Sequence, residues 1–412
     1  MLLPRWIETL NTHRHRTAIH DGGRTWSFED LQEALDARSE ATAPLIAQGN
    51  AFEIAVTTLQ GWRDGQTILP VERQEMAPAL DITPSPETAH LKRVPSNDQH
   101  PRFACFTAGA IAADADRLVE AMQLHPEVPN LAAISLAHSY GFSSIILPLL
   151  LHGIPAQCVD VPFPASMVEA MKPHRKLTVP AVPSMWRAWH RSGILKDAPI
   201  GLALSAGAPL TAQLEQAVFD KDGLKLHNFY GASECGGISW DPSDEPRCLP
   251  DSLGEPLPGV TIELDQAGHF VVASSSVAHG YLPSDEADPI IEGDFHTPDG
   301  GHVQDGQLIL DARGGEQINV AGRKLGPGRI EVAIQKTGLT RRARIFGLPS
   351  SDPERVDEIA VLLPEGTDLE ALRSTLSVTL AGWQVPRHWF ATRDASLWSL
   401  SRAELRDRFS QS

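Results

Sequence analysis

Short apolar runs that end in a polar turn and lead into a helix recur through the middle of this chain. No other feature restricts its fold as strongly. Phe103-Ala104-Cys105-Phe106-Thr107-Ala108-Gly109 is the first, and an amphipathic helix with Ala115, Leu118 and Met122 at helical spacing follows from Ile111. Leu131-Ala132-Ala133-Ile134-Ser135-Leu136 ends at Ala137-His138-Ser139-Tyr140-Gly141, and an apolar helix over 142–151 begins at once. The order returns at Ala156–Asp160, Leu177–Pro180 and Gly201–Ser205, the last leading through Ala206-Gly207-Ala208-Pro209-Leu210 to a helix over 213–219. Continuous apolar strands alternating with helices predict an α/β domain with a largely parallel sheet.

Leu226-His227-Asn228-Phe229-Tyr230-Gly231-Ala232-Ser233-Glu234-Cys235-Gly236-Gly237 concentrates the chemistry. Its first half reads as a buried strand, and ligands of open α/β sheets sit just past the C-terminal ends of such strands. Glycine lets the backbone approach a ligand, Tyr230 offers a flat face and Glu234 a hard oxygen. These parts suit a nucleotide with its metal. Taken alone, the stretch equally fits a plain strand-to-turn transition with an exposed glutamate.

The flanks read differently. Residues 1–60 are predicted helical with a short extended piece at Thr25-Trp26-Ser27-Phe28, and Ser27 with Asp30 suits an N-cap. Ile82 to Pro101 carries Pro84, Pro86, Pro95 and Pro101 among polar residues and reads as a surface loop. After Trp240 the texture turns to strands and turns, about 241–311. Asp265-Gln266-Ala267-Gly268 signals a hairpin between Val260–Leu264 and His269–Ala273. A loop rich in Asp, Pro and Gly runs through Thr297-Pro298-Asp299-Gly300-Gly301, and Gln307–Asp311 reads as a strand. Gly314-Gly315 then marks a hinge at 312–316. It separates a large N-terminal domain (1–311), of parallel α/β layers plus the β-rich end, from a small mobile α+β domain (317–412).

A formal net charge of −17 argues against a nucleic-acid or anionic-lipid partner. Cys105, Cys158, Cys235 and Cys248 show no paired spacing of a zinc site or disulfide framework, which fits a reducing cytoplasm. The longest apolar run, 145–151, is far short of the about 20 residues a membrane span needs.

The order of these features resembles the adenylate-forming superfamily of acyl-CoA synthetases, non-ribosomal peptide adenylation domains and luciferases, over roughly 103–405. Ser205–Leu210 is similar to its small-residue loop lining the acyl and adenine pockets. Tyr230-Gly231-Ala232-Ser233-Glu234 resembles its Tyr-Gly-x-Thr-Glu motif with Ser for Thr, and Thr297-Pro298-Asp299 stands where it has Thr-Gly-Asp. Leu253–Gly259 and Gly268–Tyr281 resemble its β-rich motifs, and Arg313 with Ile318–Glu331 follows its late glycine- and arginine-containing motif.

The resemblance implies that Gly207, Ala208, Asn228, Tyr230, Gly231, Asp299 and Arg313 bind nucleotide, Tyr230 stacking on adenine and Asp299 accepting the ribose hydroxyls. Ser233 would donate to a phosphate oxygen, Glu234 would hold Mg²⁺, and His138 would lie near the substrate carboxylate. The implied activity is AMP-forming ligation. ATP activates a small carboxylic acid as acyl-adenylate, and the acyl group passes to a thiol of CoA or of a phosphopantetheine-bearing acyl carrier protein.

The chain departs from the pattern where charge is neutralised. Ala110-Ile111-Ala112-Ala113-Asp114-Ala115-Asp116 replaces the phosphate loop and its lysine, Ser399 stands for the late catalytic lysine, and Asn319 replaces another lysine. Arg402, Lys324 and Arg323 are the cations that could substitute. Anions meeting at a phosphorus need cations or oriented amides, and one lost donor costs on the order of 10²–10³ in rate. ATP-driven adenylation is therefore expected to be impaired. Two other readings stay open: a non-catalytic relative that keeps the nucleotide pocket, and a serine hydrolase or acyltransferase using Ser233.

Overall fold

In the computed structural model the protein is described at residues 1–76, 78, 83–94, 101–266, 268–285, 288–312, 318–320, 323–325, 327–340, 342–350, 357–400 and 402–410. The chain divides into two compact units. One comprises Met1–Cys248, Leu253–Ile262 and Val272–Phe295, the other Leu249–Ser252, Glu263–Val271 and His296–Ser412.

The first unit is built on the alternation described above. Strands Leu226–Ala232, Ile200–Ser205, Leu177–Ala181, Asn130–Ala132, Ala156–Cys158 and Thr17–Asp21 lie side by side in that order, all parallel. Antiparallel strands Gly236–Trp240 and Arg24–Ser27 flank them. Asn130–Ala132 is shorter than its apolar run, because the Ala133 amide turns back to Leu131 O at 3.1 Å and the chain leaves the sheet there. Helices Pro183–Ser192 and Ala212–Asp222 cover the sheet, with Trp186 and Trp189 buried edge-to-face. The Ser27–Asp30 capping box forms as its spacing predicts.

A second sheet in this unit corrects one expectation. Part of the proline-rich segment is not surface loop: His90–Val94 is a buried strand, antiparallel to Arg102–Phe106 with Lys92 opposite Ala104. Gly280–Leu282 pairs with the far side of Arg102–Phe106, and parallel strands Ile68–Pro70 and Leu45–Ala47 complete the sheet. An apolar core holding Trp6, Phe28, Leu59, Phe106, Phe142, Leu147 and Leu150 belongs to this unit.

The second unit contains a three-stranded sheet, Arg344–Pro349, Asp357–Pro364 and His388–Thr392, with helices Pro327–Lys336, Leu369–Thr379 and Arg402–Ser410. Ile318, Ile330, Ile334, Val361, Leu372 and Leu376 share one core. The Asp265–Gly268 turn forms, with the Asp265 amide on His269 O at 2.9 Å. Thr297–Gly301 is strand rather than loop, inside Asp294–Gln304 and paired from Gly300 onward with Gln307–Ala312. The ladder absorbs its glycines through an irregularity between Gly300 and Gly301, where a Cβ on Gly301 would strike Ile309 O and the Phe270 ring.

Candidate functional site

Two parallel strands carry the site. Ile200–Ser205 and Leu226–Ala232 run in register, Ser205 opposite Asn228, so their ends open on the same side. Past the first, Gly207 takes φ +76° and is exposed together with Ala208. Past the second, the chain turns at Ser233–Cys235 and returns as Gly236–Trp240, Gly231 opposite Gly237. That return needs glycine. A Cβ on Gly231 would press on Gly236 O at 2.6 Å, and Gly236 sits at φ +73° against the Asp114 carboxylate.

The turn is tied down from outside the strand. Ser276 Oγ donates to Cys235 O at 2.7 Å, Arg117 Nη1 donates to Ser276 Oγ at 2.6 Å, and the Ala278 amide donates to Glu234 O at 2.8 Å. Arg117 also donates to Pro258 O at 2.8 Å. Ser276 and Ala278 thus brace the turn, and Pro258 anchors the Arg117 that supports Ser276.

Under the turn lies a cavity of about 240 Å³, lined among others by Lys92, Ser139, Tyr140, Ser143, Gly207 and Ser233. Ser233 Oγ and Ser139 Oγ are 3.1 Å apart across it. Glu234 is half-buried. Burial, the largest influence, raises its carboxyl above the usual carboxylate range, against lowering by a backbone hydrogen bond, Tyr281, Lys92 and Arg102. Tyr281 is buried beside it, and burial, then the Glu234 charge, push its pKa up. Among the described residues no three His, Cys, Asp or Glu groups cluster as a metal cage. One carboxylate fits Mg²⁺ that arrives on phosphates, since that ion keeps waters and takes one or two carboxylates.

Residues 100–282 match the family model of the AMP-binding enzymes. Over the whole chain the structure is similar to apo MatB from Rhodopseudomonas palustris, with TM-score 0.70, 17% identity, and 99% of this chain and 98% of that one covered. The chain thus has a segment similar to the AMP-binding enzymes within a fold it shares with MatB. Among curated relatives, a 4-coumarate–CoA ligase-like protein of Oryza sativa subsp. japonica is 24% identical over 272 residues, 59% of this chain and 48% of the relative. The D-alanine–D-alanyl carrier protein ligase of Bacillus velezensis is 27% identical over 209 residues, 44% of this chain and 41% of the relative. The chain spans less than half the length of these two relatives.

Where the resemblance implies a phosphate loop, this chain has a helix. Thr107 N-caps a helix directly, its Oγ1 accepting from the Ala110 amide at 3.1 Å, and Ala108–Ala121 is helical throughout. Asp114 and Asp116 lie two residues apart, on nearly opposite faces of that helix. Asp116 pairs outward with Arg5 (2.5 Å) and His152 (2.8 Å). Asp114 points inward, accepting from the Gly237 amide at 3.0 Å and Ser143 Oγ at 2.7 Å, with Lys92 Nζ at 3.5 Å. Ser143 is placed by a π-helical turn, Phe142–Ile146, inside the expected apolar helix, and such turns are frequent at functional sites.

The other expected residues are dispersed. Asn228 is buried on its strand, with its carbonyl accepting from the Asp241 amide at 2.9 Å. His138 is not among the cavity's lining residues. Its side chain is 71% exposed and 3.1 Å from Glu72, which borders a wider cleft of about 680 Å³ that contains no residue of the Tyr230–Glu234 turn. In the second unit, Asp299 is half-buried, its amide donating to Thr297 Oγ1 at 3.2 Å. Arg402 is locked: its guanidinium donates to Glu331 Oε1 and Oε2 at 3.0 and 2.9 Å and to Ile345 O at 2.9 Å. Arg313 and the hinge glycines Gly314 and Gly315 lie outside the described residues, as do the side chains of Asn319, Arg323, Lys324 and Ser399. Lys92 was missed in sequence because its strand was hidden among prolines. The alternation of His90, Lys92 and Val94 was the available signal.

Proposed function

We propose that this protein is an AMP-forming acid–thiol ligase-like enzyme with a weakened grip on the outer phosphates of ATP. The observation carrying this reading is the braced Tyr230–Glu234 turn, which carries a half-buried carboxylate and lends Gly231, Ala232 and Ser233 to the lining of a small cavity. In the reaction an oxygen of the substrate carboxylate bonds to the α-phosphorus as the bond to pyrophosphate breaks. The sulfur of CoA or of a carrier protein's phosphopantetheine then bonds the acyl carbon, AMP leaves and the thiol proton passes to solvent. Tyr230 stacks on adenine between Gly207, Ala208 and Gly231, with Asn228 supporting the ring edge. Ser233 donates to a phosphate oxygen, and Glu234 would hold Mg²⁺, which would supply positive charge against phosphate repulsion. For Asp299 at the ribose, Arg313 at ribose or phosphate, the 312–316 hinge and His138 near the carboxylate, the proposal rests on the resemblance alone.

Pyrophosphate release from ATP with Mg²⁺ and a panel of carboxylic acids tests it, with AMP binding followed by calorimetry on the same protein. Release with at least one acid is expected. AMP binding without release for any acid favours a partial-reaction or non-catalytic relative, which the helix in place of the phosphate loop supports. A serine-hydrolase role for Ser233 lacks a base, since its hydrogen-bond partner among the described residues is Ser139.

No helix among the described residues is long and apolar enough to cross a membrane. A cytoplasmic setting and a small-acid substrate, with no nucleic acid or membrane as partner, complete the proposal.

A further inference from the structure

The cavity under the Ser233 turn carries a feature that an alkyl-binding pocket would exclude. Lys92 lines it with a side chain only 2% exposed. Its ammonium has three protons to place. Ser143 Oγ takes one at 3.1 Å, donating its own hydrogen to Asp114. Asp114 takes the second at 3.5 Å, the outer limit of a hydrogen bond. The third has no oxygen or nitrogen acceptor among the described residues, and the ammonium otherwise meets the Phe106 ring, its centroid 4.6 Å away. An aliphatic group filling the cavity would seal that proton away from water and acceptor alike, which is costly. Asp114 already balances the Lys92 charge, and Glu234 lies close enough for each to influence the other. A second full negative charge is therefore less welcome here than a neutral oxygen. The volume, about 240 Å³, is below the range of pockets for drug-sized ligands.

We infer that Lys92 is a specificity-determining residue, and that the cavity takes the acyl part of a small acid bearing an uncharged oxygen acceptor, a hydroxyl or carbonyl, that Lys92 grips. This rests on the adenylate-forming reading of the site and names its substrate class.

The test uses the full chain and three non-hydrolysable acyl-sulfamoyl adenosines of equal length, ending in hydroxyl, methyl or carboxylate. Calorimetry gives Kd for each and for AMP, with wild type, Lys92→Met and the charge-neutral pair Lys92→Met/Asp114→Asn. Wild type is expected to bind the hydroxyl form roughly tenfold to a hundredfold more tightly than the methyl form, the range for one hydrogen bond to a charged donor. Both variants lose that preference while keeping AMP affinity, and the double variant guards against misfolding from an unpaired Asp114. Preference for methyl, or tightest binding of carboxylate, overturns the inference. So does a hydroxyl preference that survives in the double variant. AMP binding with no preference among the three overturns it and leaves the adenylate reading standing. Failure to bind AMP or any analogue overturns both.

Discussion

Two stretches of the first unit, in contact at Asp114 and Gly237, have gone opposite ways. The Tyr230–Glu234 turn has the features the proposed nucleotide edge calls for: parallel strands in register, glycines where a Cβ would collide, and a half-buried carboxylate. The 107–121 stretch keeps the strand and the capping threonine but continues as a regular helix, and its inward group is an anion. The buried cation of the helix, Arg117, is committed to Pro258 O and to the hydroxyls of Ser275 and Ser276. A second buried cation, Lys92, comes from a neighbouring strand and is already engaged by Asp114. Together they teach that the helix now serves the turn as a brace, through Asp114 on the Gly237 amide, rather than serving phosphates.

The largest effect that could break this comparison is on stability. Asp114→Ala leaves Lys92 buried and unpaired and frees the Gly237 amide, and breaking such a pair from one side costs about 3–5 kcal/mol. Urea unfolding of the variant is expected to show a loss of that order. A loss below about 1 kcal/mol, the scale of exposed pairs, would mean the carboxylate is not the brace.

Next in size is Tyr230→Ala. Stacking of a base on an aromatic side chain is worth about 1–3 kcal/mol, on the order of tenfold to a hundredfold in Kd. AMP and ATP should weaken by the same factor, because the ring acts on the adenine they share. Unequal loss, read by calorimetry, would place Tyr230 at the phosphates.

How much of this contrast was legible in sequence follows from locality. The strand–turn–helix recurrence and the Tyr230–Glu234 turn are written in consecutive residues, so apolar runs and glycines disclosed them. Lys92 is the opposite case. Pro84, Pro86, Pro95 and Pro101 make its surroundings read as loop, and its strand exists because Arg102–Phe106 lies beside it, a pairing no local pattern encodes. Asp114 and Asp116 look equivalent in sequence, and only the helical turn between them sends one to Gly237 and the other to Arg5. Thr297–Gly301 read as loop because Pro and Gly are poor strand formers, yet the ladder with Gln307–Ala312 carries the chain past them. Arg402 looked available as a cation, and its Nη2 is held by both oxygens of Glu331.

A subtler effect is the pH dependence of metal binding. Burial raises the Glu234 carboxyl, so it stays protonated to a higher pH than an ordinary glutamate. The sign follows: Mg²⁺ should strengthen ATP binding progressively as pH rises through that raised value, and Glu234→Gln should make the profile flat. Stability moves the other way. Within that window the folded state holds a proton the unfolded chain has released, so ionising Glu234 lowers stability as pH rises. The Gln variant should lack that decline in urea titrations run across pH. A metal-dependent slope that persists in Glu234→Gln would move the metal ligand elsewhere.

The smallest effect separates brace from phosphate loop most sharply. Thr107 is the one polar side chain left at the start of the rebuilt stretch, and it accepts from the Ala110 amide. Loss of such a cap costs about 1 kcal/mol, so Thr107→Ala should lower stability by about that amount. If the helix end no longer serves phosphates, the ratio of ATP to AMP affinity stays as in wild type, since the variant touches neither Tyr230 nor Glu234. If Thr107 still holds an outer phosphate, ATP weakens and AMP does not, because only ATP reaches that far. A change confined to ATP would return the 107–121 stretch to the nucleotide site, and the contrast with the Tyr230–Glu234 turn would collapse. An unchanged ratio with the expected stability loss assigns the hydroxyl to capping alone, leaving Ser233 and Glu234 as the groups that meet phosphate in this unit.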